Sequence, residues 1–195
     1  MFELSARAQD YVERTKQFIQ NEIEPIETDF WHEVHELNQG GDWTKWQWPA
    51  QLEMLKAKAK AAGLWNMFLP CPELGQGLSV QEYAHIAELT GRSLLAPTVF
   101  NCNAPDSGNM EVLWRYGSEA QKQEWLTQLL DGKIRSVFCM TEPAVASSDA
   151  TNMQATAVIE GDEIVLNGRK WWSSGLGDPN AKIIIFMAHT PDATK

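Results

Sequence analysis

A switch in hydrophobic period at Gly132 decides which folds are open to this sequence. Before it, apolar residues recur at spacings of three and four, the period of amphipathic helices. After it they alternate or run in short blocks between turn residues, the period of strands. Helices followed by strands, with no βαβ alternation, predict an α+β fold. The expected layout is an N-terminal all-α helical domain over 1–133, then an antiparallel β domain over 134–195.

Local signals place the elements. Between Ser5 and Glu24 the stripe Ala8, Tyr11, Val12, Thr15, Phe18, Ile19 and Ile23 predicts one helix, ended by Pro25. The tryptophan-rich segment from Asp29 to Trp48, with Asn38 and Gly40-Gly41, reads as a loop or an interrupted helix. Leu52, Leu55, Ala59 and Ala62 make a second stripe, stopped at Gly63. Ser79-Val80-Gln81-Glu82 and Ser118-Glu119-Ala120-Gln121 are capping boxes, in which hydroxyl and N3 side chain satisfy orphan amides at a helix start. Asp106 to Tyr116 reads as a further helix. Strands are expected over Arg135–Met140, Gln154–Glu160, Arg169–Ser174 and Ile183–Thr190. Gly161-Asp162 closes a hairpin, and Asn167-Gly168 reads as a type I′ turn.

Composition narrows the function classes. The net charge of −10 disfavours a broad nucleic-acid or anionic-membrane surface, since both need basic patches. No apolar run approaches the length of a membrane span. Cysteines 71, 102 and 139 are far apart with no CxxC pair, which argues against a zinc site or disulfide framework and for a reducing compartment. His32 and His35 lack HExxH spacing and read as a solvated polar face, so no metal site is expected. No signal or transit peptide is read at the start of the sequence. Nine tryptophans are many for 195 residues, and exposed ones would mark an interface.

Two runs carry chemistry: Phe138-Cys139-Met140-Thr141-Glu142-Pro143, leading through Ser147-Ser148-Asp149, and Gly168-Arg169-Lys170-Trp171-Trp172-Ser173-Ser174-Gly175. As an ordered pair they resemble the flavin-contacting motifs of the acyl-CoA dehydrogenases. The run Asn103 to Glu111 further resembles the branch whose animal members carry an extra kinase-like domain. The resemblance implies that the antiparallel β domain over 134–195 is incomplete, and it implies FAD as cofactor and α,β-dehydrogenation of acyl-CoA thioesters, with the β-hydrogen leaving as hydride. Electrons would pass on to an electron-transfer flavoprotein or similar acceptor, and a homo-oligomer, dimer or tetramer, is implied. The compartment would be cytoplasmic in a bacterium, and mitochondrial or peroxisomal in a eukaryote.

By motif position, Phe138, Met140 and Thr141 would line the flavin edge, with Trp172 against the ring face, the Ser174 hydroxyl at N5 and Ser173 as a further cofactor-binding residue. Counting from Thr141 selects Ser147 as the family's conserved serine; counting back from Asp149 selects Ser148. Ser147 is assigned to the cofactor and Ser148 to the substrate. Glu142 reads as structural beside Pro143, and Cys139 as a buried spectator thiol. The family's catalytic glutamate belongs to a C-terminal helical domain, so no catalytic residue is expected among these 195, and this piece alone is expected to be inactive. Two other readings stay open: a non-catalytic module that binds acyl-CoA or a partner, and a flavin monooxygenase relative.

Overall fold

A computed structural model describes residues 3–191. The helical part comprises α1 (Ala6–Phe18), α2 (Glu27–Leu37), α3 (Gln51–Ala61), α4 (Val80–Thr90), α5 (Ala96–Val99), α6 (Asp106–Tyr116), α7 (Glu119–Gln121) and α8 (Thr127–Leu130). Among the described residues four strands follow: β1 (Arg135–Cys139), β2 (Thr156–Glu160), β3 (Glu163–Asn167) and β4 (Ala181–Phe186). No helix among the described residues is long and apolar enough to cross a membrane.

The sequence stripes become the core. Ala8, Thr15, Ile19 and Ile23 are buried along α1 and the π-turn that extends it, while Tyr11, Val12 and Phe18 pack at the margin. Ile19 and Ile23 meet Phe30, Leu52, Leu55, Met67, Ile86 and Phe100 in one cluster. Each such side chain stabilises the fold by roughly 1.5–3 kcal/mol. Both capping boxes form completely, at Ser79 with Glu82 and at Ser118 with Gln121. Glu82 also accepts from the Ser5 hydroxyl at 2.6 Å, which ties the start of α1 to the start of α4. The Asp29–Trp48 segment is a helix, α2, followed by a loop with one short 3₁₀ turn.

The helical part is bolted to the sheet through the Asn103–Glu111 run. Asp106, only 1% exposed, accepts from Ser136 N at 2.7 Å, from Ser136 Oγ at 2.6 Å and from Arg135 Nε. Asn109 Nδ2 donates to Ser136 Oγ at 2.9 Å. Trp48 reaches across to donate its indole N–H to Asp178 at 3.1 Å.

Three expectations about the strands are corrected. The β region is not antiparallel throughout: β2 and β3 form the antiparallel hairpin, but β1 and β4 pair parallel. A strand that returns after a long excursion, here one containing the whole hairpin, can re-enter in the same direction. Arg169–Ser174 is not a strand, and Trp172 adopts φ 59°, a left-handed conformation outside the extended range of a regular strand. Asn167-Gly168 is not a type I′ turn: Asn167 ends β3 without positive φ, and Gly168 instead lies against Ala155, whose Cα would sit 2.7 Å from any added Cβ. The hairpin turns at Gly161-Asp162 as expected, with positive φ at Gly161 alone, the sign pattern of type II′.

Candidate functional site

The site builds on the C-terminal end of β1. The chain leaves the β1–β4 pair at Met140 and runs through an irregular loop to Asp149. The 169–173 segment returns alongside it, and Trp171 N donates to Thr141 O at 2.8 Å. This main-chain bond sets the two sequence runs side by side.

Their exposed groups form a wall. Phe138 is partly exposed and Thr141 is exposed, with Met140 half-buried between them. Trp171 and Trp172 stack on each other, with ring centroids 4.8 Å apart and planes 21° from parallel. Trp172 is 73% exposed, so this aromatic surface faces outward rather than into the core. Ser174 is exposed at the start of a 3₁₀ turn. The Ser173 Oγ is shielded from solvent yet has no protein hydrogen-bond partner. An orphaned hydroxyl beside an exposed aromatic pair and two exposed hydroxyls suits a flat heterocycle carrying hydrogen-bonding edges.

Beneath the wall lies a polar node. Lys170 Nζ donates to Glu142 Oε1 at 2.8 Å and to Met140 O at 3.0 Å, with the two side chains 7% and 3% exposed. Glu142 also accepts from Gln154 N at 2.8 Å and Ala155 N at 3.0 Å. The bond from Lys170 and these two amides hold the carboxyl down to about 2, against the raising effect of burial.

The two serines separate here. Ser147 is buried, and its hydroxyl accepts from Glu142 N at 2.7 Å, which turns it inward to the loop. Ser148 is exposed. Thr141 and Met140 are thus tied to Trp171 and Lys170, Trp172 stacks on Trp171, and the Ser174–Gly177 turn that follows Ser173 packs against β1, the strand of Phe138; Ser147 turns inward instead. Sequence reading missed Trp171 as half of the aromatic pair, and missed that Lys170 and Glu142 join. The available signal was a lysine and a glutamate placed one in each motif.

Other candidates recede. Cys139 is buried in β1, and burial pushes the Cys102 thiol up to about 11, so it is held protonated. His32 and His35 are exposed on α2, and no cluster of metal-ligating residues occurs among the described residues.

Comparison with known proteins identifies the family. Residues 5–133 match the model "Acyl-CoA dehydrogenase, N-terminal domain", and residues 137–195 match "Acyl-CoA dehydrogenase, middle domain". The chain belongs to the acyl-CoA dehydrogenase family. It is 50% identical to the chicken (Gallus gallus) acyl-CoA dehydrogenase family member 11, over 100% of this chain and 24% of that protein. A solved acyl-CoA dehydrogenase structure from Mycobacterium abscessus superposes with a TM-score of 0.91 at 61% identity, covering 98% of this chain and 48% of that one. A Mycobacterium smegmatis glutaryl-CoA dehydrogenase, solved in complex with FADH2, shares the fold at a TM-score of 0.70 and 24% identity, covering 97% and 44%. The chain thus spans about a quarter of the chicken relative and about half of these solved structures.

Proposed function

We propose that this chain supplies one wall of the FAD and acyl-CoA site of a dehydrogenase that introduces an α,β double bond into acyl-CoA thioesters. The observation that carries the reading is the bond from Trp171 N to Thr141 O. It sets the Thr141 hydroxyl and the Trp171–Trp172 surface side by side, next to the unpartnered Ser173 Oγ. Family membership and the FADH2 bound to the M. smegmatis relative support FAD as the group that fits there. When bound, FAD supplies a hydride acceptor.

The chain's own residues then have distinct tasks. Trp172 offers flat apolar area to a ring face. Thr141 and the 140–141 amides would donate to the bound group, with Phe138 and Met140 as apolar neighbours, and Ser173 and Ser174 would supply hydroxyls to it. Ser148 faces the acyl-CoA side. Ser147 supports the site from behind by fixing the Glu142 amide. Positioned donors of this kind are worth on the order of 10²–10³ in rate when they meet developing charge. Glu142 does not serve as the proton-abstracting base: its carboxylate is committed to Lys170 and two amides, and a value near 2 makes it a poor acceptor at neutral pH. The base that removes the α-proton would come from outside these residues, and the partner we propose as electron acceptor is an electron-transfer flavoprotein or a similar protein.

The test is FAD binding by the purified 195-residue chain, followed as quenching of flavin fluorescence. Saturable quenching weakened by Thr141→Val and by Trp172→Ala supports the reading. Saturable binding that both variants leave unchanged contradicts it. Adding a saturated acyl-CoA under anaerobic conditions should leave the flavin oxidised, because the base is missing; bleaching would place a base within this chain.

A further inference from the structure

The wall needs an explanation of how it is held. Residues 140–143 and 169–173 belong to no strand, and Trp172 stands in a left-handed conformation uncommon for a bulky side chain. Such a conformation persists only where its surroundings over-determine it. The residues just before it are the anchored ones. Trp171 N is bound to Thr141 O, and the Lys170 ammonium is almost fully partnered: Met140 O, Glu142 Oε1, the Met153 sulfur at 3.9 Å, and the Phe186 ring with its centroid at 5.1 Å. Glu142 in turn grips the amides of Gln154 and Ala155, and its own amide is held by Ser147. One buried ion pair therefore joins the non-strand stretches at 140–142, 153–155 and 170 to one another and to Phe186 at the end of β4.

We propose that Glu142 and Lys170 are the positioning residues of the site: the pair sets the Trp171–Trp172 stack in place before any ligand arrives. The proposal rests on the reading of that wall as a flavin surface only for its purpose. The positioning itself is a property of the chain. A surface ordered in advance leaves less ordering cost to be met on binding, so the pair would raise ligand affinity without touching the ligand.

The test reads the stack directly. Two indoles stacked at 4.8 Å couple electronically and give an exciton pair in circular dichroism. Subtracting the spectrum of Trp172→Ala isolates their signal from that of the other tryptophans. In Lys170→Met the couplet should fall to less than half. Should that variant unfold because it strands a buried carboxylate, Glu142→Gln/Lys170→Met removes both charges and restores folding. Its couplet should still be low, since the tether from Lys170 to Met140 O is gone, and its FAD affinity should drop about tenfold or more. A role limited to stability would make the couplet recover with the fold. A folded single or double variant with an undiminished couplet overturns the proposal. Failure of the flavin reading would appear separately, as native protein with an intact couplet that FAD does not perturb.

Discussion

Asp106→Ala should loosen the junction between helices and sheet more than any other single truncation in the Asn103–Glu111 run. The aspartate is 1% exposed and accepts from Arg135 Nε, Ser136 N and Ser136 Oγ. Truncation leaves a largely buried guanidinium whose remaining carboxylate, Asp178, is 4.0 Å away, and strips the Ser136 amide of its acceptor. Breaking a buried pair from one side costs about 3–5 kcal/mol, and an unsatisfied buried amide about 1–3 kcal/mol. The two overlap, so a total of about 3–5 kcal/mol is expected. With a urea slope of about 3 kcal/mol per molar, the unfolding midpoint should fall by about 1–2 M. Equilibrium urea unfolding, followed by both tryptophan fluorescence and far-UV circular dichroism, checks this. Arg135→Met in the Asp106→Ala background should cost much less than it does alone, because the pair is already broken. A midpoint shift corresponding to less than about 1 kcal/mol, or fully additive effects, would refute the bolt.

Gly168→Ala should destabilise by about 1–3 kcal/mol, read by the same urea assay, since the new methyl would overlap Ala155. An unchanged midpoint would contradict that close approach. Glu142 is depressed to about 2 in the folded chain from an ordinary 4.5, so the unfolded chain takes up its proton first as pH falls. Its contribution is complete above pH 4.5 and fades as pH drops through 2. Stability should thus rise with pH across that window, and the rise should be shallower in Glu142→Gln; equal slopes in urea titrations at pH 3, 4 and 5 would count against it. Ser79→Ala should cost about 1 kcal/mol through loss of the cap, and a thermal melt indistinguishable from the native one would count against the box.

What the sequence revealed depended on the range of the interaction concerned. Capping boxes, the α1 stripe and the Gly161-Asp162 turn are decided within a few residues, and each formed where local pattern put it. The parallel pairing of β1 with β4 depends on where a distant strand re-enters, which no local period encodes. Trp172 broke an expected strand because tertiary bonds at Lys170 and Trp171 outweigh β-propensity. Counting could not choose between Ser147 and Ser148, since the difference is which hydroxyl turns toward the Glu142 amide. The site motifs themselves were legible because residue types and order survive without coordinates. The ion pair linking them was not, because it joins two residues 28 positions apart.

Whether a flavin ring seats on the Trp171–Trp172 wall can be read from indole ¹⁵N–¹H spectra of the tryptophan-labelled chain, recorded as FAD is added. The resonances of Trp171 and Trp172, assigned by single substitution, should shift saturably while those of Trp31 and Trp48 stay fixed. Shifts confined to the α2–α3 tryptophans, with Trp171 and Trp172 unmoved by bound FAD, would contradict it.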